Sequence, residues 1–108
     1  VDYVCKDDKE NPTTWKLGMI SSSVMARIMK DAQNPDKQIE VSFTILRIGL
    51  RGWENFSQKF ETVKEQFYGN ECEVVPLSLL NTIPVNTIIE LSTKIIEINN
   101  LTGQEIKN

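Results

Sequence analysis

Asp7, Asp8 and Glu10 fall within one polar stretch and carry the oxygens that a hard cation takes as ligands. They lack the alternating ligand spacing and central glycine of a calcium loop, so the stretch reads as a solvated turn. The two thiols, Cys5 and Cys72, have no CxxC partner and no metal-ligand spacing around them. They read as reduced structural cysteines, while a bond between them depends on a Cα separation that sequence does not fix. The chain has no histidine, which removes the usual general base at neutral pH and every Ser-His or Cys-His pairing. Gly49 and Gly52 make no phosphate cradle, because a third glycine, a trailing Lys-Ser/Thr and a preceding buried strand are missing. No two glutamates stand out as an acid and base pair. The expectation is a non-enzymatic protein with no cofactor and no metal.

A second kind of chemistry is stacking. Trp15, Trp53, Phe56, Phe60, Phe67 and Tyr68 are side chains on which single-stranded nucleic acid can stack, and Arg47 and Arg51 flank Trp53. A phosphate-binding surface also needs clustered cations. Here the 12 Lys and Arg are scattered from Lys6 to Lys107, and the net charge of −3 contains no long block of one sign. Nucleic acid is therefore not an expected partner, and most of the aromatics are assigned to the core. No apolar run approaches the roughly 18 residues that cross a bilayer, and the first residues lack the basic and apolar regions of a signal peptide, so no membrane association is expected. Asn55-Phe56-Ser57 and Asn100-Leu101-Thr102 match the glycosylation acceptor pattern, which without a secretory signal reads as coincidence.

The elements that hold these residues are legible in outline. With 40% apolar and 25% charged residues in 108, the chain suits one globular domain spanning 1–108, of α+β class, with two β-hairpins and about three helices. Residues 2–6 and 13–20 favour strands and flank a polar connection, which predicts the first hairpin. Ser21-Ser22-Ser23 offers N-caps for a helix carrying Val24, Met25, Ile28, Met29 and Ala32, and Asn34-Pro35 ends it. Residues 38–53 are rich in strand formers, yet their apolar positions change phase midway. Ile39, Phe43, Leu46, Leu50 and Trp53 fit helical steps, as do Val41, Ile45 and Ile48, so the segment reads as a helix apolar on two faces. Gly49 and Gly52 would close it, and residues 51–56 read as a turn anchored by aromatics. Phe60–Phe67 and Glu71–Val75 predict a second hairpin around Tyr68-Gly69-Asn70. Ile83-Pro84 opens a last helix, and Thr102-Gly103-Gln104-Glu105 has the capping-box spacing for another.

Two helices with broad apolar faces exceed what so small a core is expected to cover. The surplus predicts either a well-filled core between the two β-hairpins or an interface through Ile45 and Ile48 on one helix and Ile88, Leu91, Ile95 and Ile98 on the other. Trp15, Gly52, Trp53 and Phe56 are the expected structural anchors.

Three segments resemble small tailed-bacteriophage proteins encoded among head and tail genes. They are Tyr3-Val4-Cys5-Lys6-Asp7-Asp8-Lys9-Glu10-Asn11-Pro12-Thr13-Thr14-Trp15-Lys16-Leu17, then Ile48-Gly49-Leu50-Arg51-Gly52-Trp53-Glu54-Asn55-Phe56, then Ile83-Pro84 through Leu91 with Asn100-Leu101-Thr102 and Glu105-Ile106-Lys107-Asn108. The order of hairpin, helix, aromatic turn and final helix is also similar to tail assembly chaperones, which bind the tape-measure protein and usually continue further. The resemblance implies a virion structural protein, on the capsid or at the head–tail connection, or else a transient chaperone. Its partners would be other phage structural proteins or copies of itself, and its place the virion or the host cytoplasm during assembly.

Overall fold

A computed structural model describes residues 1–107, and the side chains of residues 1–99. The fold is α+β. Strands β1 (Asp2–Tyr3), β2 (Thr14–Leu17) and β3 (Leu50–Glu54) form an antiparallel sheet in the order β1-β2-β3. Strands β4 (Val63–Phe67) and β5 (Asn70–Val74) form a second antiparallel pair. The helices are α1 (Ser22–Asp31), α2 (Gln38–Gly49), the short α3 (Leu77–Leu80) and α4 (Val85–Lys107), with a 3-10 turn at Pro35–Lys37.

The first hairpin is present as β1 and β2, whose alternation puts Trp15 and Leu17 inward. Helix α1 buries Val24 and Ile28. Ser21 stands at its N-cap but makes no side-chain cap bond there. After α1, Asn34 Oδ1 accepts from Asp36 N at 3.0 Å and shapes the proline turn. The second hairpin closes through Tyr68 (φ 53°) and Gly69 (φ 81°), two left-handed residues in succession, the conformation of a tight two-residue turn. Pro84 leads α4 as the sequence predicts. That helix runs on through Thr102-Gly103-Gln104-Glu105 instead of restarting there, and the capping side chains of that tetrad lie outside the described ones.

Three expectations are corrected. Helix α2 stops at Gly49, four residues short of Trp53, because the stretch that follows finds a better partner in β2, pairing Trp15 with Trp53 and Lys16 with Gly52. The register slips between Lys16 and Leu17, which leaves Arg51 as an extra residue on β3. Gly52 is thus a buried mid-strand residue, and neither it nor Gly49 has positive φ. A Cβ on Gly52 would meet Lys16 Cδ at 3.5 Å and Lys16 Cβ at 3.9 Å, both ordinary contact, so it is not the anchor glycine. Gly49 is: its Cβ would fall 2.7 Å from Ile95 Cδ1.

The predicted interface is the third. Ile45, Ile48, Ile88, Leu91 and Ile95 are all buried in the core, and Ile98 is half-buried against it. The reason is mutual cover. The inward face of α2 and that of α4 pack on each other more extensively than any other helix pair, with Gly49 admitting Ile95 at the seam. Of the other predicted face of α2, Leu46 is buried, Phe43 half-buried and Ile39 exposed. Among the described residues no helix is long and apolar enough to cross a membrane.

Candidate functional site

Three of the four predicted anchors do come together. Pairing of β2 with β3 brings Trp15 and Trp53 edge to face at 5.7 Å between centroids. Phe56 then lies 5.1 Å from Trp15 and 5.0 Å from Trp53, while Phe60 meets Trp53 at 88° and 5.0 Å. The chain reaches this nest by a left-handed Asn55 (φ 62°) whose Nδ2 donates to Asn11 O at 2.7 Å, and Thr13 Oγ1 donates back to Asn55 O at 2.8 Å. Asn tolerates such a backbone better than most residues, because its short side chain bonds locally. Trp53 Nε1 donates to Gln58 O at 2.7 Å. Trp15 Nε1 is buried with no acceptor among the described residues.

Beside the nest a cleft of about 390 Å³ is lined by Trp15, Phe56 and Pro84 on the apolar side, and by Cys5, Asp8 and Glu90 on the polar one. It is where the titratable groups converge. Glu90 Oε2 accepts from Tyr3 OH at 2.6 Å and from Lys6 N at 3.0 Å. The Tyr3 hydroxyl holds the Glu90 carboxyl below its ordinary value, against the opposing effect of burial. In return that hydrogen bond pushes Tyr3 up to about 12. Burial first, and the Glu90 charge second, push the Cys5 thiol up to about 12 as well. Near pH 7 the cluster therefore holds a protonated thiol, a protonated phenol and an ionised carboxylate whose oxygen is already engaged. Each is displaced away from nucleophilic or general-base use.

A separate arrangement went unsuspected from sequence. Arg47, near the end of α2, is only 8% exposed and ties the second hairpin to the helix. Its Nε donates to Val75 O at 2.8 Å, its backbone O accepts from Val75 N at 3.0 Å, its guanidinium pairs with Glu65, and the same group lies 5.5 Å from the Phe67 ring centroid. A second tie joins Tyr68 OH to Asp31 Oδ2 at 3.0 Å. Arg51, at the bulge, turns back to donate to the carbonyls of Ile48 and Met19. Arg47 is buried in this clasp, and Arg51 is held by those two carbonyls. In sequence an arginine flanked by Leu46 and Ile48 was the available signal, since so long a charge amid apolar neighbours needs acceptors of its own.

Cys5 and Cys72 are both free and half-buried. Among the described residues, no three or more Cys, Asp and Glu gather as a metal cage. Compared with protein-family models, curated proteins and solved structures, the chain has no match.

Proposed function

We propose that this chain is a non-enzymatic docking protein of tailed-bacteriophage morphogenesis, a minor virion component on the capsid or at the head–tail connection. It acts by contact with other phage structural proteins or with copies of itself. The docking part rests on one observation. Val85 and Ile89, 50% and 44% exposed, stand one turn apart on the same side of α4, and Leu77 at the start of α3 is 51% exposed. Isolated exposed apolar residues are ordinary, but repetition at helical spacing gives a face. The displaced titrations of Cys5, Tyr3 and Glu90 fit a protein that binds without reacting. The phage part is supported by the sequence resemblance of the three quoted segments.

A transient tail assembly chaperone is the second reading, favoured by the long last helix led by Ile83-Pro84. Mass spectrometry of purified particles separates the two, since a virion component is present in stoichiometric amount and a chaperone is absent. The α4 face has its own test. Val85→Glu combined with Ile89→Glu should change stability by no more than about 0.5 kcal/mol per site while lowering incorporation into particles. Undiminished incorporation would show that the contact lies elsewhere.

A further inference from the structure

The free edge of β5 lies over a cleft with an apolar floor. Phe67 and Asn70 flank the two-residue turn, so they form the first hydrogen-bonded pair, and Glu65 with Cys72 and Val63 with Val74 are the next ones. Asn70, Cys72 and Val74 therefore direct their N–H and C=O groups at β4. Glu71 and Glu73 direct theirs the other way. Val75 continues that phase, and its outward N–H and C=O are met by Arg47 O and Arg47 Nε at 3.0 and 2.8 Å. Arg47 thus stands in for one residue of a neighbouring strand. For Glu71 and Glu73 no such surrogate exists, and their outward backbone groups have no hydrogen-bond partner among the described residues.

On that open side is a cleft of about 340 Å³ lined by Asn70, Glu71, Cys72 and Glu73 along β5, and by Ile20, Val24 and Ile48 opposite. The last three are at most 5% exposed, so they form a floor and not a rim. The solvent side is acidic. Glu71 and Glu73 are exposed, Lys64 lies 3.9 Å from Glu71, and Glu73 has no ion-pair partner among the described residues. Arg51 lines the cleft but spends its guanidinium on the Ile48 and Met19 carbonyls.

We infer that this edge takes an extended segment of a partner protein as an added strand, one that alternates apolar side chains, set on Ile20, Val24 and Ile48, with basic side chains opposite Glu71 and Glu73. An exposed strand edge supplies the main-chain affinity, and a floor with period-two side-chain positions supplies the selectivity. Like charges directly across a ladder repel, which disfavours an acidic occupant. The inference rests on the docking reading above and names a surface for it distinct from the Val85 and Ile89 face.

The test is a titration of the whole isotopically labelled chain with a capped synthetic peptide of alternating Lys and Val, followed by amide chemical shifts and hydrogen exchange. The expected result is movement of Glu71, Glu73, Ile20, Val24 and Ile48, with slowed exchange at the Glu71 and Glu73 amides. Glu73→Pro removes an outward donor while leaving the bonds to β4 in place, and it should weaken binding by about tenfold. A peptide N-methylated on its edge-facing residues should not bind. Equal binding of the methylated peptide, shifts confined to Val85 and Ile89, or no shifts at all would overturn the assignment. So would dimerisation of the unliganded chain that Glu73→Pro abolishes, because the edge would then belong to a second copy. A chain found in particles or assembly intermediates whose β5 edge ignores the peptide loses only this inference. A chain found in neither loses the docking reading, whatever the peptide does.

Discussion

Helix α2 serves two neighbours by different means. Toward α4 it offers the bare backbone of Gly49, against which Ile95 packs inside the apolar core. Toward the β4–β5 hairpin it offers Arg47, and the contact is a guanidinium matched to a carbonyl, a carboxylate and an aromatic face. The apolar seam gains from the area removed from water, and a lost methylene costs it in proportion. The polar clasp breaks even only while every acceptor is met, so it fails in one step when a single partner goes. One helix thereby joins a region built to stay shut to a region whose strands are mostly exposed and form a two-stranded sheet of their own.

Substitutions can break or sharpen this contrast. The largest effect is expected from Leu91→Ala, which empties a fully buried site on α4 and should lower stability by about 2–5 kcal/mol in urea unfolding. A smaller loss, on the order of 1–3 kcal/mol, is expected for Gly49→Ala, because a methyl group must push Ile95 aside. Gly52→Ala is its control and should stay within about 0.5 kcal/mol of the parent. If the two alanine variants melt alike, the close approach of α2 to α4 is not what holds the seam.

Arg47→Met removes the clasp and leaves Val75 O without its side-chain donor, a loss of roughly 1–3 kcal/mol. Its signature is place more than size. Amide exchange should rise at Cys72 and Val74 before it rises at Leu91, and a uniform rise along the chain would show that hairpin and core open as one unit.

The smallest effect is electrostatic. The folded-state carboxyl of Glu90 titrates below its ordinary 4.5, so its contribution is present above that value and fades as pH falls through the lowered one. Glu90→Gln should shrink the difference in urea midpoint between neutral and strongly acidic solution. Cys5 runs the opposite way. Its folded pKa of about 12 lies above the ordinary 9.0, so its contribution holds below 9.0 and is lost as pH climbs toward 12. Removing the Glu90 charge should make Cys5 react sooner with a thiol reagent as pH is raised.

The sequence made the element types legible where periodicity and punctuation agreed. Asn34-Pro35 ends α1, Tyr68-Gly69 turns the second hairpin, and Ile83-Pro84 starts α4, each for a reason local to a few residues. It misled at Leu50–Glu54, where helical spacing of Leu50 and Trp53 was genuine but pairing with β2, far earlier in the chain, decided the outcome. It misled again on surface, since counting the apolar faces of α2 and α4 separately hides that each is the other's cover. The aromatic nest was partly readable: Trp15, Trp53 and Phe56 were singled out, although Trp53 and Phe56 prove half-buried and Gly52 incidental. The open edge of β5 was not readable, because which backbone groups lack partners depends on what the rest of the chain does.

The junction between α2 and β3 has no slack. The helix ends at Gly49 and the strand begins at Leu50, with no spacer between them. Slipping a strand by one position exchanges its two faces, so one residue inserted at this seam would turn Trp53 out of its nest, unless the extra length were absorbed at the Arg51 bulge. Short stretches such as 9–10 and 61–62 lie outside every helix and strand and away from the contacts of the nest, and can lengthen at little cost. Descendants of this chain should accordingly vary in length at those stretches and keep the Gly49-Leu50 spacing fixed.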